Sequence, residues 1–433
     1  MAAELRTIKT AAEQGLAAAY AAARDKLPGK VTALRDDAFK RFDARGLPHR
    51  RVEEWKYTDL RVLMRDAKPL AGPAGAKPKG GIPTILTGVD ADVIAVVNGR
   101  YESSWSDSNA RDAGLTIDEL FKFLSENPGY RLSHVPGSDD TALSLNTAFM
   151  SGGVALRVKG KIAKPIHIAH VFAGDAAAAM YPRVVVIIEP GAQVTLIESF
   201  IGPEGLDYQV NSALELTIGD KAHVDHIKIG CDGGAALRVS TLGVSAAGKA
   251  NYNDFAFTLG GAVVRNQTFV RFGGEGAQAL LGGASLLKGR QHVDNTLVIN
   301  HAARGCTSRE RFKSVLDGES HGIFQGKIIV EQHAQKTDAK MMTRALLLSD
   351  EAEADNKPEL EIFADDVQCG HGATVGALDE GLKFYLMSRG IPEKEAEALL
   401  VQAFIDEVLE EIAHEGVRRA LMFAALKWLG SRS

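Results

Sequence analysis

The segment RVVVIIEPGAQVTLIES, residues 183–199, holds two short apolar runs separated only by a turn around Glu189-Pro190-Gly191. Its neighbours read the same way. VALRV, IHIAHV, ALELTI and AHVDHIKI, all beyond about residue 150, are rich in Val, Ile and Leu, alternate apolar with polar residues, and are divided by turn residues. Such runs are half-buried strands. No helix of normal length fits between most of them, which argues against repeated βαβ units. A weak turn repeat runs through PGAQV, IGDKAHV, AGKANY and EGAQA, whose glycines Gly191, Gly219, Gly248 and Gly276 lie 28, 29 and 28 residues apart. That spacing belongs to solenoids. In a β-helix each short strand pairs with its copy one coil away, and the apolar face is buried inside. A β-sandwich also uses short strands but needs no shared period. The repeat therefore favours the β-helix.

Helical pattern flanks this core. In KVTALRDDAFKRFDARG, Val31, Leu34, Ala38 and Phe42 form one stripe, widened by Phe39, and Gly46 with Pro48 ends the helix. The Ala-rich GLAAAYAAA before it reads as helix and not as a signal peptide. AGPAGAKPKGGIP (71–83) reads as a linker. From Asp379, a plausible N-cap, helix returns; Gly390 ends its first segment, and Pro392 suits the first turn of the next. Leu400, Phe404, Val408 and Ile412 keep a stripe. The last segment, with Leu421, Phe423, Leu426, Trp428 and Leu429, is apolar on more than one side. Its own domain core is the plainer cover for it, and a partner the other.

The 433 residues allow a sizeable core, and the net charge of -5 implies no large basic surface for nucleic acid or anionic lipid. No apolar run of about 20 residues is present, so no membrane span is expected. Cys231, Cys306 and Cys369 are far apart and odd in number, with no C-x-x-C. This argues against disulfides and a preformed zinc site and suits a reducing, cytoplasmic setting.

GVSAAGKA (243–250) nearly matches a phosphate-binding loop, but Ala250 replaces the magnesium-binding hydroxyl and NYNDFAFTL after it reads as strand. It is a turn, and the chain is not expected to hydrolyse ATP by itself. His167 and His170, like His223 and His226, are three apart, which on a strand sends the rings to opposite faces. His292, His301, His321 and His333 are isolated, as hydrogen-bonded histidines commonly are. Asp365 and Asp366 are adjacent, which suits turn or surface charge better than an acid/base pair.

FADDVQCGHGATVGAL (363–378) is different. On an extended segment Cys369 and His371 share a face, so thiolate and imidazole can converge on one ion or partner group, with Gly370 and Gly372 leaving the backbone approachable. Two ligands do not complete a site; the rest would come from elsewhere, including a second chain. Parallel i,i+2 side chains suit Cys-His nucleophilic catalysis poorly. Metal contact and a structural turn both stay open on spacing alone.

GRQHVDNTLVINHA (289–302), TSRERFKSVLDG (307–318), GKIIVEQHAQKTDAKMM (326–342), RALLLSDEAEADNKPELEIFADDVQCGHGATVGALDE (344–380) and KFYLMSRGI (383–391), taken in order, resemble the SufB/SufD family of iron–sulfur cluster assembly proteins. LPHRRVEEWKYTDL (47–60) resembles the family's N-terminal motif. The Trp55-Lys56-Tyr57-Thr58 element and the few cysteines are similar to the SufD branch.

The resemblance implies a mainly β fold, a right-handed parallel β-helix flanked by N-terminal and C-terminal helical regions. Its divisions would be 1–85 (helices and linker), 86–377 (β-helix) and 378–433 (helices docking an ATPase). It implies a non-catalytic scaffold that pairs with a SufB-like paralogue and binds a SufC-like ATPase through residues 379–430. Such a scaffold also supports iron supply and is compatible with a homodimer in isolation. It implies no tightly bound cofactor in the isolated chain, transient iron or a nascent cluster in the complex, and a reduced flavin only at complex level. His371 matches the family's interface histidine and Cys369 its neighbouring cysteine, the expected iron or cluster contacts. Two rivals are a carbohydrate-active β-helix enzyme using Asp365 and Asp366 and a purely structural adaptor.

Overall fold

The computed structural model describes residues 9–107, 112–132 and 139–431. In the quoted segment, Pro182–Ile188 and Gln193–Ile201 are consecutive strands that lie in different sheets. Gln193–Ile201 pairs in parallel with His223–Cys231, and that strand with Asn251–Thr258. The same sheet continues through Gln278–Leu287, Thr307–Leu316 and Asp338–Leu347 to Gln368–Ala377. The opposite sheet runs from Pro182–Ile188 through Gln209–Ile218, Leu237–Ala246, Val263–Phe272, His292–His301 and His321–Val330 to Glu353–Ile362. The chain is thus a parallel β-helix with two strands per coil and helices at both ends.

The repeat marker differs slightly from the glycine pattern. Gly191, Lys221, Lys249, Gly276, Gly305 and Lys336 all have positive φ, and each lies two residues before a strand of the first sheet. Their spacings are 30, 28, 27, 29 and 31 residues. Each backbone N–H donates to a carbonyl of the next turn: Gly191 to Asp220 (2.8 Å), Lys221 to Gly248 (2.9 Å), Lys249 to Glu275 (2.9 Å), Gly276 to Arg304 (3.0 Å), Gly305 to Gln335 (2.9 Å) and Lys336 to Asp366 (2.7 Å). The left-handed conformation costs a non-glycine residue about 1–2 kcal/mol, and the inter-coil hydrogen bond returns a similar amount. Lysine therefore serves where glycine would, and Gly219 and Gly248 are only neighbours of the shared position. GVSAAGKA is such a turn, with strands on both sides.

Between the sheets, Val194, Leu196, Leu214, Leu216, Leu242, Val244, Phe272 and Ile299 form a continuous interior. Fully burying each such side chain is worth about 1.5–3 kcal/mol, repeated coil after coil. The two ends of the solenoid are not alike. At the N-terminal end the short strands Arg100–Tyr101 and Leu115–Glu119 pair antiparallel and close the two sheets. At the C-terminal end Glu353–Ile362 and Gln368–Ala377 are full ten-residue strands paired on one side only.

Helix Ala11–Ala23 starts at a Thr10/Glu13 capping box, and Thr32–Arg45 is stopped by Gly46 at φ 74°. With Thr141–Phe149, a helix the sequence pattern did not announce, they cover the second sheet through Leu16, Tyr20, Phe42, Trp55, Phe149 and Val239. The Trp55-Lys56-Tyr57-Thr58 element is locked to that sheet. The Arg265 guanidinium lies 3.9 Å from the Trp55 ring centroid, the Thr58 hydroxyl donates to Asp294 Oδ2 at 2.5 Å, and Arg265 pairs with Asp294.

At the other end Asp379 caps Glu380–Ser388, as expected. Helices Glu393–Leu409 and Glu415–Gly430 lie on the first sheet, with Val401, Ile405, Val408, Leu421 and Trp428 against Ile197, Ile227, Phe255, Leu286 and Val315. The buried face is centred one residue beyond the expected stripe, leaving Leu400 and Phe404 half-buried. The last helix is mainly core, yet Phe423 stays 69% exposed.

Candidate functional site at the open end of the solenoid

The final strand, Gln368–Ala377, positions the Cys-x-His pair. Cys369 lies in register with Ala339 and His371 with Met341, and Ala339 and Met341 are both buried in the interior. Alternation along the strand therefore turns Cys369 and His371 to the inner side, at the mouth of the lumen. The expected shared face is what the structure has. Cys369 packs against the last of the interior core and is half-buried, and burial pushes its thiol above the ordinary value. His371, one coil position from any cover, is exposed.

The strand also carries a free backbone edge. The Gln368 N–H donates to Thr337 at 2.8 Å, so alternation in a parallel ladder leaves the N–H and C=O groups of Cys369, His371, Ala373 and Val375 facing outward. Such an edge is a template for another strand. Glu353–Ile362 is a poorer one, because Pro358 falls on its free side with no N–H to offer. A Cβ added at Gly370 would meet nothing within 4 Å, and one at Gly372 would meet only the flexible end of Met342. Ile362, Phe363 and Val375 add exposed apolar surface at this end.

Deeper in the lumen two of the histidines noted in sequence have acidic partners that sequence reading did not find. His170 bonds Glu198 (Nε2 to Oε1, 3.0 Å), and His226 bonds Asp254 (Nδ1 to Oδ1, 2.7 Å). Hydrogen bonding from His170 and the nearby charge of Lys228 hold the Glu198 carboxyl at about 2 against the opposing effect of burial. Glu310 is the exception. It is fully buried and has no imidazole partner, and desolvation pushes its carboxyl up to about 8 against the opposing effects of Ser308 and the Arg309 charge. Ser308 lies close, and its hydroxyl, joined to His301 at 3.0 Å, can also donate toward Glu310. The odd-numbered neighbours Arg309 and Arg311 face the opposite side and pair with Asp338 and Glu411. Cys369 and His371 border one cleft of about 790 Å³ whose wall carries Arg309, Arg311, Lys313, Lys340 and Arg344, with the buried Glu310 and Met341 behind it. The signal in sequence was Glu310's place on an otherwise inward-facing strand position, legible only once the register is known.

The remaining candidates are dispersed. His167 reaches Ser199 on the outer side while His170 turns into the lumen, as their spacing requires. His292, His301, His321 and His333 are hydrogen-bonded to Thr58, Ser308, Asp355 and the Ala302 carbonyl. Asp365 and Asp366 are exposed in the turn before the last strand, and Asp366 pairs with Lys336. Among the described residues no three His, Cys, Asp or Glu side chains are arranged to hold a metal ion. None of the described helices is long and apolar enough to cross a membrane.

A second surface adjoins the first. Helix Glu380–Ser388, directly after the open edge, buries none of its residues. Leu382, Phe384, Tyr385 and Met387 are exposed, Phe384 by 73%. So much unpartnered apolar side chain on one short helix marks an interaction site.

Residues 170–404 match the SufBD core domain of the SUF system for FeS cluster assembly, and residues 13–168 match the N-terminal region of SufBD proteins. The chain is 28% identical to the iron–sulfur cluster assembly protein SufD of Escherichia coli, over 87% of this chain and 88% of that one. It is 30% identical to an iron–sulfur cluster assembly SufBD family protein of Synechocystis sp., over 84% of each. Similarity to SufD of Bacillus subtilis is 29% over 64% of each chain.

Proposed function

This chain belongs to the SufBD family of iron–sulfur cluster assembly proteins, and on that premise we propose that it is the SufD-like scaffold whose open solenoid end pairs with a SufB-like paralogue. The observation that carries this reading is the asymmetry of the solenoid. One end is closed by short antiparallel strands, and the other offers a ten-residue edge with Cys369 and His371 at its mouth. Iron or a nascent cluster is the cargo in this reading. His371 contacts it across the interface and Cys369 supports it. Imidazole and thiolate both suit iron, and half a ligand set on each chain explains why two groups stand alone here.

The exposed helix Glu380–Ser388 and the helices behind it dock the SufC-like ATPase, within residues 379–430. The scaffold itself performs no catalysis, and any reduced flavin belongs to the assembled complex. In isolation the same edge can pair with a second copy. The carbohydrate-active alternative is disfavoured, since Asp366 is engaged by Lys336 in a surface turn. Mixing the chain with SufB- and SufC-like partners and weighing the product by sedimentation tests the pairing. A ternary complex is expected, and three separate species would contradict it. A purely structural adaptor would give the same complex but would not need His371.

A further inference from the structure

The outer face of the first sheet becomes cationic at the open end. Lys340, Met342 and Arg344 face outward from Asp338–Leu347, in register with Gly370, Gly372 and Thr374 of the last strand. The cations of the cleft wall share three carboxylates. Arg309 pairs with Asp338, Arg311 with Glu411, and both Lys313 and Arg344 with Glu407. Lys340, exposed and with no ion-pair partner among the described residues, leaves the wall short of negative charge in a chain whose net charge is -5. Lys340 and Arg344 are also the cations nearest the free edge, and Gly370 puts no side chain between Lys340 and that edge.

We propose that this face selects the partner strand by charge: the segment that adds to Gln368–Ala377 carries Asp or Glu at two outward positions four residues apart, opposite Gly370 and Thr374, to meet Lys340 and Arg344. The proposal rests on the reading of the last strand as the pairing edge given above. The spacing follows from register, because Lys340 and Arg344 are four residues apart on one strand, and it holds for a parallel or an antiparallel newcomer. Adjacent strands are about 4.8 Å apart, so the incoming strand lies roughly twice that from Lys340, a distance that an extended lysine and a glutamate cover together. Opposite charges across an interface speed encounter and exclude wrong partners. The occupant is the paralogue and not a second copy. A second copy's last strand brings the same cations to the contact. Its other terminal strand, Glu353–Ile362, carries Asp355 and Glu359 four apart, but these pair with His321 and Lys357, and Pro358 offers no N–H to the ladder.

The test is interferometry of the full chain against its SufB-like partner at low and high salt, comparing wild type with Lys340→Glu, Lys340→Arg and Ala373→Pro. Lys340 is exposed, so Lys340→Glu is expected to melt with wild type. It is expected to pair roughly tenfold or more weakly at low salt, with the deficit closing at high salt, while Lys340→Arg pairs as wild type does. Ala373→Pro blocks the edge and weakens pairing at either salt. Wild-type affinity in Lys340→Glu beside lost affinity in Ala373→Pro would overturn the acidic partner strand and leave the pairing edge standing. Wild-type affinity in both would overturn the edge as well. Tighter pairing in Lys340→Glu, an equal loss in Lys340→Arg, or wild-type pairing indifferent to salt would each overturn selection by charge. A Lys340→Glu chain that loses only its self-association would give the acidic strand to a second copy and overturn the proposal.

Discussion

Glu310 and His371 stand in the same inward-facing row of the solenoid with Met341 alone between them. The relationship joins the most exposed group of the site to the most buried one. It also ties local chemistry to architecture, because the row exists only where strands from successive coils are in register.

The burial of Glu310 gives stability a pH dependence of known sign. Its carboxyl is near 8 when folded and near 4.5 otherwise. Below pH 4.5 both states hold the proton and the group costs nothing through ionisation. Between 4.5 and 8 the unfolded chain releases it and the folded chain does not, so stability falls as pH rises. Glu310→Gln removes that loss. Urea denaturation is expected to show the variant more stable at pH 8 by on the order of 2–4 kcal/mol, with the advantage fading toward pH 4.5. An advantage independent of pH would mean that the carboxyl is already ionised in the fold.

The free edge can be blocked without touching the fold. Ala373 lies on the outward-facing set of the last strand, so Ala373→Pro removes an N–H the intramolecular ladder does not use. Its melting temperature is expected to stay within a few degrees of wild type, while affinity for the SufB-like partner falls by roughly tenfold or more. Undiminished pairing, measured by interferometry, would place the interface elsewhere.

Phe384 contributes nothing to the core, being 73% exposed on a helix with no buried residue. Phe384→Ala is expected to leave the melting temperature unchanged and to weaken binding of the SufC-like ATPase by about 2 kcal/mol, the scale of an aromatic anchor. Calorimetric titration reads this directly, and equal affinity would remove the helix from the docking surface.

The β-helix was legible because alternation and turn spacing are local properties, repeated coil after coil. Even so, the true marker is a left-handed backbone position shared by Gly191, Gly276 and Gly305 with Lys221, Lys249 and Lys336, and lysines carry no turn signal. The shared face of Cys369 and His371 followed from a period of two. Glu310 did not, because its burial depends on which residues three strands supply to one row. His170–Glu198 and His226–Asp254 were hidden for the same reason, their members lying 28 residues apart in each case. The helix Thr141–Phe149, with eight of its nine residues buried, apolar and polar alike, lacks the one-sided stripe that announces a surface helix.

The central claim is that His371 meets iron or the nascent cluster at the partner interface. Reconstituting the chain with SufB- and SufC-like partners, and following cluster formation by its visible absorption with wild type and His371→Ala, tests it most directly. The account predicts that the complex assembles normally with His371→Ala while cluster formation falls by roughly tenfold or more. Wild-type cluster yield from the assembled His371→Ala complex would contradict it, and would make the last strand a structural edge whose ligands all lie on the partner.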